Sequence, residues 1–449
     1  MKLTFYGGAG TVTGVNYFLE AQGVKILVDC GLHQGNHFAE RKNFEPLPYD
    51  PKTIDFVLIT HAHIDHIGLL PKLYKGGFRG KIFSTLPTHD FAELLLVDSE
   101  HILEKEAERE RQPLLYSTED VVAMMKIWEG VDYHKKLDLN GVTAEFFNAG
   151  HILGSAFIKI SSEGKTIVFS GDLGNYPAPI IKETEEIPKA DYCVIESTYG
   201  DRVHEGTNER REELEDAIEE TIKKGGILMI PAFAMERTQQ LLFELNELIE
   251  NGRIPKVPVY IDSPLAIHLT EIYEKYRREF KEEVREMIKG GDDILDFPGL
   301  HFTLTTEESK MINEVKPPKV IIAGSGMSHG GRILHHELRY LGDSKNMILF
   351  VGYQGKGSLG RQILEGAKRV RIMGEEVEVR CRVRVISGYS AHADQPRLVK
   401  WVKPARMSLE KIFVVQGEEG ASEALAQKIR DELAVHTEVP QYQDSFELI

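Results

Sequence analysis

Ile59-Thr60-His61-Ala62-His63-Ile64-Asp65-His66 is the stretch that decides how this 449-residue chain is read. It carries three imidazoles and a carboxylate between His61 and His66, directly after the short apolar run 55–60. That run reads as a buried strand ending at His61. Such a density of polar rings straight after an apolar strand is hard to explain as packing. Neutral imidazoles and carboxylates are natural ligands of first-row metals. The spacing lets a tight turn aim His61 and His63 at one ion, while Asp65 and His66 reach a neighbouring one.

Outward from this run, three more candidates follow predicted strands. His151 sits in the Gly-bracketed stretch Asn148-Ala149-Gly150-His151-Ile152-Leu153-Gly154-Ser155. Asp172 sits in Phe169-Ser170-Gly171-Asp172-Leu173, and Asp29 ends Ile26-Leu27-Val28-Asp29. Residues that follow strand ends can be gathered at one edge of a sheet layer.

With these motifs in hand, the chain resembles the metallo-β-lactamase superfamily. The resemblance implies a four-layer αββα sandwich of two packed sheets flanked by helices. It implies two zinc ions per chain: one on His61, His63 and His151, a second on Asp65 and His66, with Asp172 bridging. Asp29 is implied to orient ligands from behind. Two metals about 4 Å apart can lower the pKa of a shared water and stabilise an in-line displacement at phosphorus.

Two later segments narrow the resemblance. Val194-Ile195-Glu196-Ser197-Thr198-Tyr199-Gly200 and Ser387-Gly388-Tyr389-Ser390-Ala391-His392-Ala393-Asp394 each follow an apolar run. They are similar to signature segments of the β-CASP branch, which acts on nucleic acids. Pro231-Ala232-Phe233, Asp262-Ser263-Pro264-Leu265-Ala266 and the stretch from Ser325 to His336 match as well. The resemblance then covers nearly the whole chain. It is nearest to bacterial and archaeal RNA-cleaving members and to the endonuclease subunit of the mRNA 3′-end cleavage machinery. Phosphodiester cleavage needs a metal-activated water and a proton for the departing oxygen. A histidine tuned by a carboxylate can supply that proton. His392 is assigned as the acid and Glu196 as its partner. Asp65 and Asp172 join them as catalytic candidates.

Ser325-Gly326-Met327-Ser328-His329-Gly330-Gly331-Arg332 reads as a Gly-rich turn entering a helix. Its N–H groups, with Ser325, Gly326, Ser328, Gly330 and Arg332, are candidates to hold a substrate phosphate. The competing reading is a plain tight turn. His336, on the following helix, reads as a residue packed between domains. Arg380, Arg382 and Arg384 alternate, so on a strand they share a face. That face reads as solvated and balanced by nearby glutamates. The acidic stretch 100–110 reads as solvated helix surface.

One position departs from the family pattern. The last motif of the family places a histidine before Gly-Glu, where it completes the second metal site. Here Val415 leads into Gln416-Gly417-Glu418. An amide oxygen is a weaker zinc ligand than imidazole. Gln416 therefore weakens the expected second site.

The first 200 residues read as strands separated by Gly turns. These include 2–6, 16–20, 25–29, 142–148, 156–161, 166–170 and 192–196. A helix is expected to run from the histidine run toward Leu73, and another over 87–111. The character changes with an amphipathic helix over 208–224. Strand and helix then alternate through strands 227–231, 259–262 and 320–323, as in a parallel α/β unit. From Asn346 the strand-rich style returns in 347–351, 377–386 and 411–415. The simplest organisation is a hydrolase domain over 1–205 and 346–449, interrupted by an inserted α/β domain over 206–345.

Composition restricts the partners. The net charge is −16, so a polyanion is not drawn to the molecule as a whole and needs a local cationic site, which bound metal can supply. Three widely spaced cysteines, Cys30, Cys193 and Cys381, indicate neither a disulfide framework nor a thiolate metal site. No apolar run reaches the roughly 18 residues of a membrane span. Cytoplasmic location is the expectation, with single-stranded RNA as partner, no membrane, and a homodimer admitted. The expected activity is a zinc-dependent ribonuclease, an endonuclease leaving a 5′-phosphate and a 3′-hydroxyl. Two alternatives stand beside it. One is a thioesterase or lactonase of the same superfamily, which the inserted domain and His392 argue against. The other is an RNA-binding scaffold, motivated by Gln416.

Overall fold

Val142–Asn148 buries every second side chain and half-exposes the others, the signature of a strand with one face on a core. Tyr192–Glu196 is buried along its whole length, as a strand covered on both faces must be. Both belong to one seven-stranded sheet in a computed structural model of the protein, which describes residues 1–35, 37–110, 112–204, 210–355, 357–386 and 388–449. The described chain divides into two units, Met1–Val203 with Ala391–Ile449, and His204–Ser390.

The first unit contains two seven-stranded sheets. One has the order Ser445–Glu447, Lys2–Gly7, Asn16–Ala21, Val24–Val28, Phe56–Leu58, Lys81–Thr85, Trp128–Val131. The other runs His436–Glu438, Lys411–Val415, Tyr192–Glu196, Lys165–Phe169, Ala156–Ser162, Val142–Asn148, Leu137–Leu139. Leu3, Phe5, Tyr17, Leu19 and Ile26 of the first sheet share a single apolar core with Phe146, Ile158, Phe169, Val194 and Phe413 of the second. The outer face of the second sheet, through Val168, Cys193, Ile195 and Val414, packs on helices Gln395–Val402 and Glu419–Leu433. The long helix Leu86–Glu110 packs on strands Lys81–Thr85 and Trp128–Val131 of the first. The expected αββα sandwich is the observed one.

Strand direction places the functional residues. Val24–Val28 and Phe56–Leu58 run parallel, so Asp29 and the segment leading to His61 emerge at the same edge. Lys165–Phe169, Tyr192–Glu196 and Lys411–Val415 are also mutually parallel, so Asp172, Glu196 and Gln416 follow at one edge of the second sheet.

The second unit is built on a six-stranded, wholly parallel sheet. Its order is Leu300–Phe302, Val259–Asp262, Lys319–Ala323, Ile227–Pro231, Met347–Phe350, Arg382–Val385. The central strands are buried throughout, as parallel strands with both faces covered should be.

Several expectations need correction. Residues 346–390 do not return to the first unit. Met347–Phe350 and Arg382–Val385 extend the inserted sheet, and the chain rejoins the first unit at Ala391. Strand character alone cannot say which sheet a strand joins; pairing partners decide that. The single strand expected over 377–386 is two, because Arg380 and Cys381 both turn aside to donate to the Leu341 carbonyl. Arg380 therefore lies outside Arg382–Val385, and it pairs with Glu378 while Arg382 and Arg384 pair with Glu220. The helix after the histidine run is broken into Ile64–Ile67 and Leu70–Lys75. Of the helix expected over 208–224, Asn208 lies outside the described residues, as does the boundary expected at 205/206; Arg210–Lys223 is helical. Glu100 is buried rather than solvated, accepting from Thr118 Oγ1 at 3.0 Å.

Candidate active site

Four side-chain atoms converge at the first group. His61 Nε2 lies 3.0 Å from His63 Nδ1, and His151 Nε2 lies 3.2 Å from the same atom. Asp172 Oδ2 is 3.4 Å from both His61 Nε2 and His151 Nε2. The second ring nitrogens explain which faces are turned inward. Thr60 Oγ1 donates to Asp29 Oδ2 at 2.7 Å and takes the His61 Nδ1 proton at 3.1 Å. His151 Nδ1 donates to the Ala391 carbonyl at 3.3 Å. Both rings then present a bare Nε2 to the cluster. Burial, with neighbouring histidines adding to it, holds His63 and His151 well below the usual imidazole range, in the neutral state a metal requires. Zn–N bonds of about 2.0–2.1 Å imply ligand separations of about 3.3–3.4 Å on a tetrahedron. The observed spacings are close to these. The set fits a cation.

A second group shares Asp172. His66 Nε2 is 3.3 Å from Asp172 Oδ1 and 3.9 Å from Asp65 Oδ2. His66 Nδ1 donates to Asp29 Oδ2 at 2.7 Å, and Asp29 Oδ1 accepts the Thr60 N–H at 2.8 Å. Burial opposes charge on His66, yet Asp172, Asp29 and Asp65 raise it well above the usual range, a field that favours a cation. Gly31 makes this packing possible: a Cβ there would stand 1.5 Å from the Asp65 carbonyl oxygen. Gly174 does the same for the His151 and Asp172 loops, since its N–H reaches the Ala149 carbonyl at 2.9 Å and a Cβ would meet the Gly150 oxygen at 1.9 Å.

The acid–base candidates adjoin the first group. Glu196 is fully buried; its Oε1 accepts the Leu173 N–H at 2.6 Å and its Oε2 faces His392 Nδ1 at 3.3 Å. His392 is bridged by backbone pairing to Gly174, and Ala393 N–H reaches the Leu173 carbonyl at 2.8 Å. One short loop thus carries Asp172 and fixes both Glu196 and His392. Burial lowers His392, but Glu196 first and Asp172 second raise it to about 10. Burial likewise raises Asp172, while His66, His61 and His392 hold it well below the carboxylate range. Asp394 of the same motif caps helix Gln395–Val402.

The Gly-rich turn belongs to the inserted unit, with several of its donors engaged there. Ser325 Oγ accepts the N–H groups of His329 and Gly330 at 2.9 and 3.3 Å. Ser325 N–H bonds the Gly330 carbonyl, and the Gly326 carbonyl takes Gln354 Nε2 at 2.9 Å. Ser328 is buried and donates to Glu337, a carboxyl that burial raises to about 7. Arg332 is spent on Asp262 Oδ1 at 2.8 Å and on the Thr303 and Leu304 carbonyls. These contacts occupy several of the donors that the phosphate-holding reading invoked: the Ser328 hydroxyl, Arg332 and the N–H groups of Ser325 and Gly330. Within the inserted unit, His336 Nε2 donates to Asp262 Oδ2 at 2.7 Å.

Sequence reasoning missed Thr60, which touches Asp29, His61 and His66 together. It also missed Ser155, whose Oγ accepts the N–H groups of His151 and Ile152 at 3.0 and 3.2 Å. Thr60 directly precedes the histidine run, so adjacency was an available signal; Ser155 offered none.

Three family models match the chain: a metallo-beta-lactamase superfamily domain over residues 18–176, a Beta-Casp domain over 238–363, and a Zn-dependent metallo-hydrolase RNA specificity domain over 376–440. Ribonuclease TTHA0252 of Thermus thermophilus is 38% identical over 93% of this chain and 94% of its own length. An RNase J-like protein of Methanocaldococcus jannaschii is 32% identical, covering 98% and 97%. Transcription termination factor FttA of Methanosarcina mazei is 31% identical over 97% of this chain and 70% of its own. The paired ligand groups, the inserted parallel sheet and these matches agree: the chain belongs to the metallo-β-lactamase superfamily, in the branch of RNA-cleaving metallohydrolases that carries a Beta-Casp domain.

Proposed function

We propose that this protein is a zinc-dependent ribonuclease of the cytoplasm that cuts single-stranded RNA internally, leaving a 5′-phosphate and a 3′-hydroxyl. The observation that carries the reading is Asp172, shared between the ligand group of His61, His63 and His151 and the acid–base pair of Glu196 and His392. His61, His63, His151 and Asp172 would hold one zinc ion, and Asp65, His66 and Asp172 a second, more weakly. Bound metal supplies Lewis acidity and a more acidic water. Asp29 and Thr60 fix the ring faces that point at the metal. Glu196 holds His392 through Nδ1 and keeps the ring protonated, so His392 delivers the proton that the departing oxygen needs. Three free, buried cysteines agree with a reducing compartment. Among the described residues no helix is long and apolar enough to cross a membrane.

End-labelled single-stranded RNA, incubated with zinc-loaded protein and with a chelated control, tests the proposal. Internal cuts in the first sample alone are expected. Equal, absent cleavage in both refutes it, and mononucleotides released only from the 5′ end would replace endonuclease with exonuclease. Substrates with a 5′-hydroxyl and a 5′-triphosphate report the end preference in the same assay.

A further inference from the structure

Gln416 follows strand Lys411–Val415 with a φ of +50°, a backbone region uncommon for a residue with a side chain. Both its peptide groups are held: its N–H reaches the Gly8 carbonyl at 2.6 Å, and its carbonyl accepts from Thr198 Oγ1 at 3.1 Å. Only 2% of the residue is exposed, so its side chain cannot leave for water. Its Nε2 lies 2.8 Å from Asp172 Oδ1 and 3.2 Å from His66 Nε2.

These two contacts settle which end of the amide faces inward. A carboxylate oxygen only accepts hydrogen bonds, so the NH₂ end and not the carbonyl must face Asp172. His66 gives its Nδ1 proton to Asp29, and its Nε2 lies 3.2 Å from the same NH₂ group. The NH₂ group therefore donates to Asp172 Oδ1 and fills the space beside His66 Nε2. Asp172 Oδ1 and His66 Nε2 are the atoms that, with Asp65, would hold a second cation. In the first group no amide intervenes: His61 Nε2, His63 Nδ1, His151 Nε2 and Asp172 Oδ2 face one another directly.

We infer that the Gln416 amide stands in the place of the second cation, so that this chain binds one zinc ion tightly and a second only after the amide is turned over. Turning it replaces a hydrogen bond donated to a charged carboxylate by a neutral oxygen ligand. A hydrogen bond to a charged group corresponds to roughly a 10- to 100-fold change in an equilibrium. The inference rests on the proposed zinc site for its first ion, but its readout is stoichiometry and not cleavage.

The test is a zinc titration of the metal-free 449-residue chain against a competing chelator, with retained zinc counted by elemental analysis. The unaltered chain is expected to retain one equivalent, with the second bound roughly 10- to 100-fold more weakly. Gln416→His and Gln416→Glu supply a ligand in place of the donors, and each is expected to retain two. Thermal melting of the metal-free variants shows which of them fold, and either one decides the matter. Two equivalents of comparable affinity in the unaltered chain would overturn the inference. So would none, or a folded variant that still retains one. Failure of the ribonuclease reading would appear separately, as uncut RNA at either stoichiometry.

Discussion

Glu196 Oε2 stands 3.3 Å from His392 Nδ1, and the carboxylate is wholly buried while the imidazole keeps an opening to solvent. The pair raises the imidazole to about 10, so the ring stays protonated across neutral pH. The raised value means that the proton is taken up on folding. The associated stability is complete below the ordinary histidine range and is lost as pH rises through about 10. The rate of RNA cleavage should fall over the same alkaline limb. Glu196→Gln removes the charge, so the limb should move down toward the unperturbed histidine pKa of about 6.5. A kcat/KM profile against pH on both proteins checks this; an unmoved limb would remove Glu196 from the role.

Asp172 serves both ligand groups through different oxygens, Oδ2 toward His61 and His151 and Oδ1 toward His66. Asp172→Ala should abolish cleavage and lower zinc retention. In the metal-free state it also removes a buried negative charge surrounded by imidazoles. Zinc analysis and the labelled-RNA assay on the same preparation read both effects.

Thr60 makes no direct approach to the proposed zinc position, yet its hydroxyl joins Asp29 to His61. Thr60→Val keeps the shape and deletes the hydroxyl, leaving His61 Nδ1 without its acceptor. Loss of an outer partner of this kind costs about 10–100-fold in metal affinity. Chelator competition should show that drop, whereas Thr60→Ser should restore most of it.

Gly31 is held against the Asp65–His66 turn by Cys30 N–H, which reaches the His66 carbonyl at 2.8 Å. Gly31→Ala would put a methyl where the Asp65 carbonyl lies, and the backbone has to move. Overpacking of this kind typically costs about 1–3 kcal/mol. Chemical denaturation should show that loss, together with weaker zinc binding from the displaced Asp65 and His66.

Asp262 provides a contrast from the inserted unit. Burial raises it, but hydrogen bonds from His336, Ser309, Thr303 and Arg332 hold it far below the carboxylate range. Arg332→Ala leaves this buried carboxylate without its guanidinium. Breaking a buried ion pair costs about 3–5 kcal/mol; the Arg332 side chain is 22% exposed, so the lower end of that range is expected. Zinc retention should be unchanged. Weakened RNA binding with full stability would return Arg332 to a substrate-holding role.

Much of the active site was legible in local sequence. His61 to His66 are so close together that one turn must carry them all, and Asp29, Asp172 and Glu196 each end or follow an apolar run that reads as a strand. What local sequence determined was the identity of these groups and their position at strand ends. It also marked Gln416 as the departure from the pattern. Tertiary structure decided three things. Pairing assigned Met347–Phe350 and Arg382–Val385 to the inserted sheet, because a strand's partners lie far away along the chain. The contacts of Arg332 and of the Ser325 loop occupy part of what the Gly-rich segment offers a ligand, because only folding shows whether a donor is already used. The direction of the Gln416 amide was also decided there. A glutamine offers both a donor and an acceptor, and the choice rests with Asp172, 244 residues away in the chain.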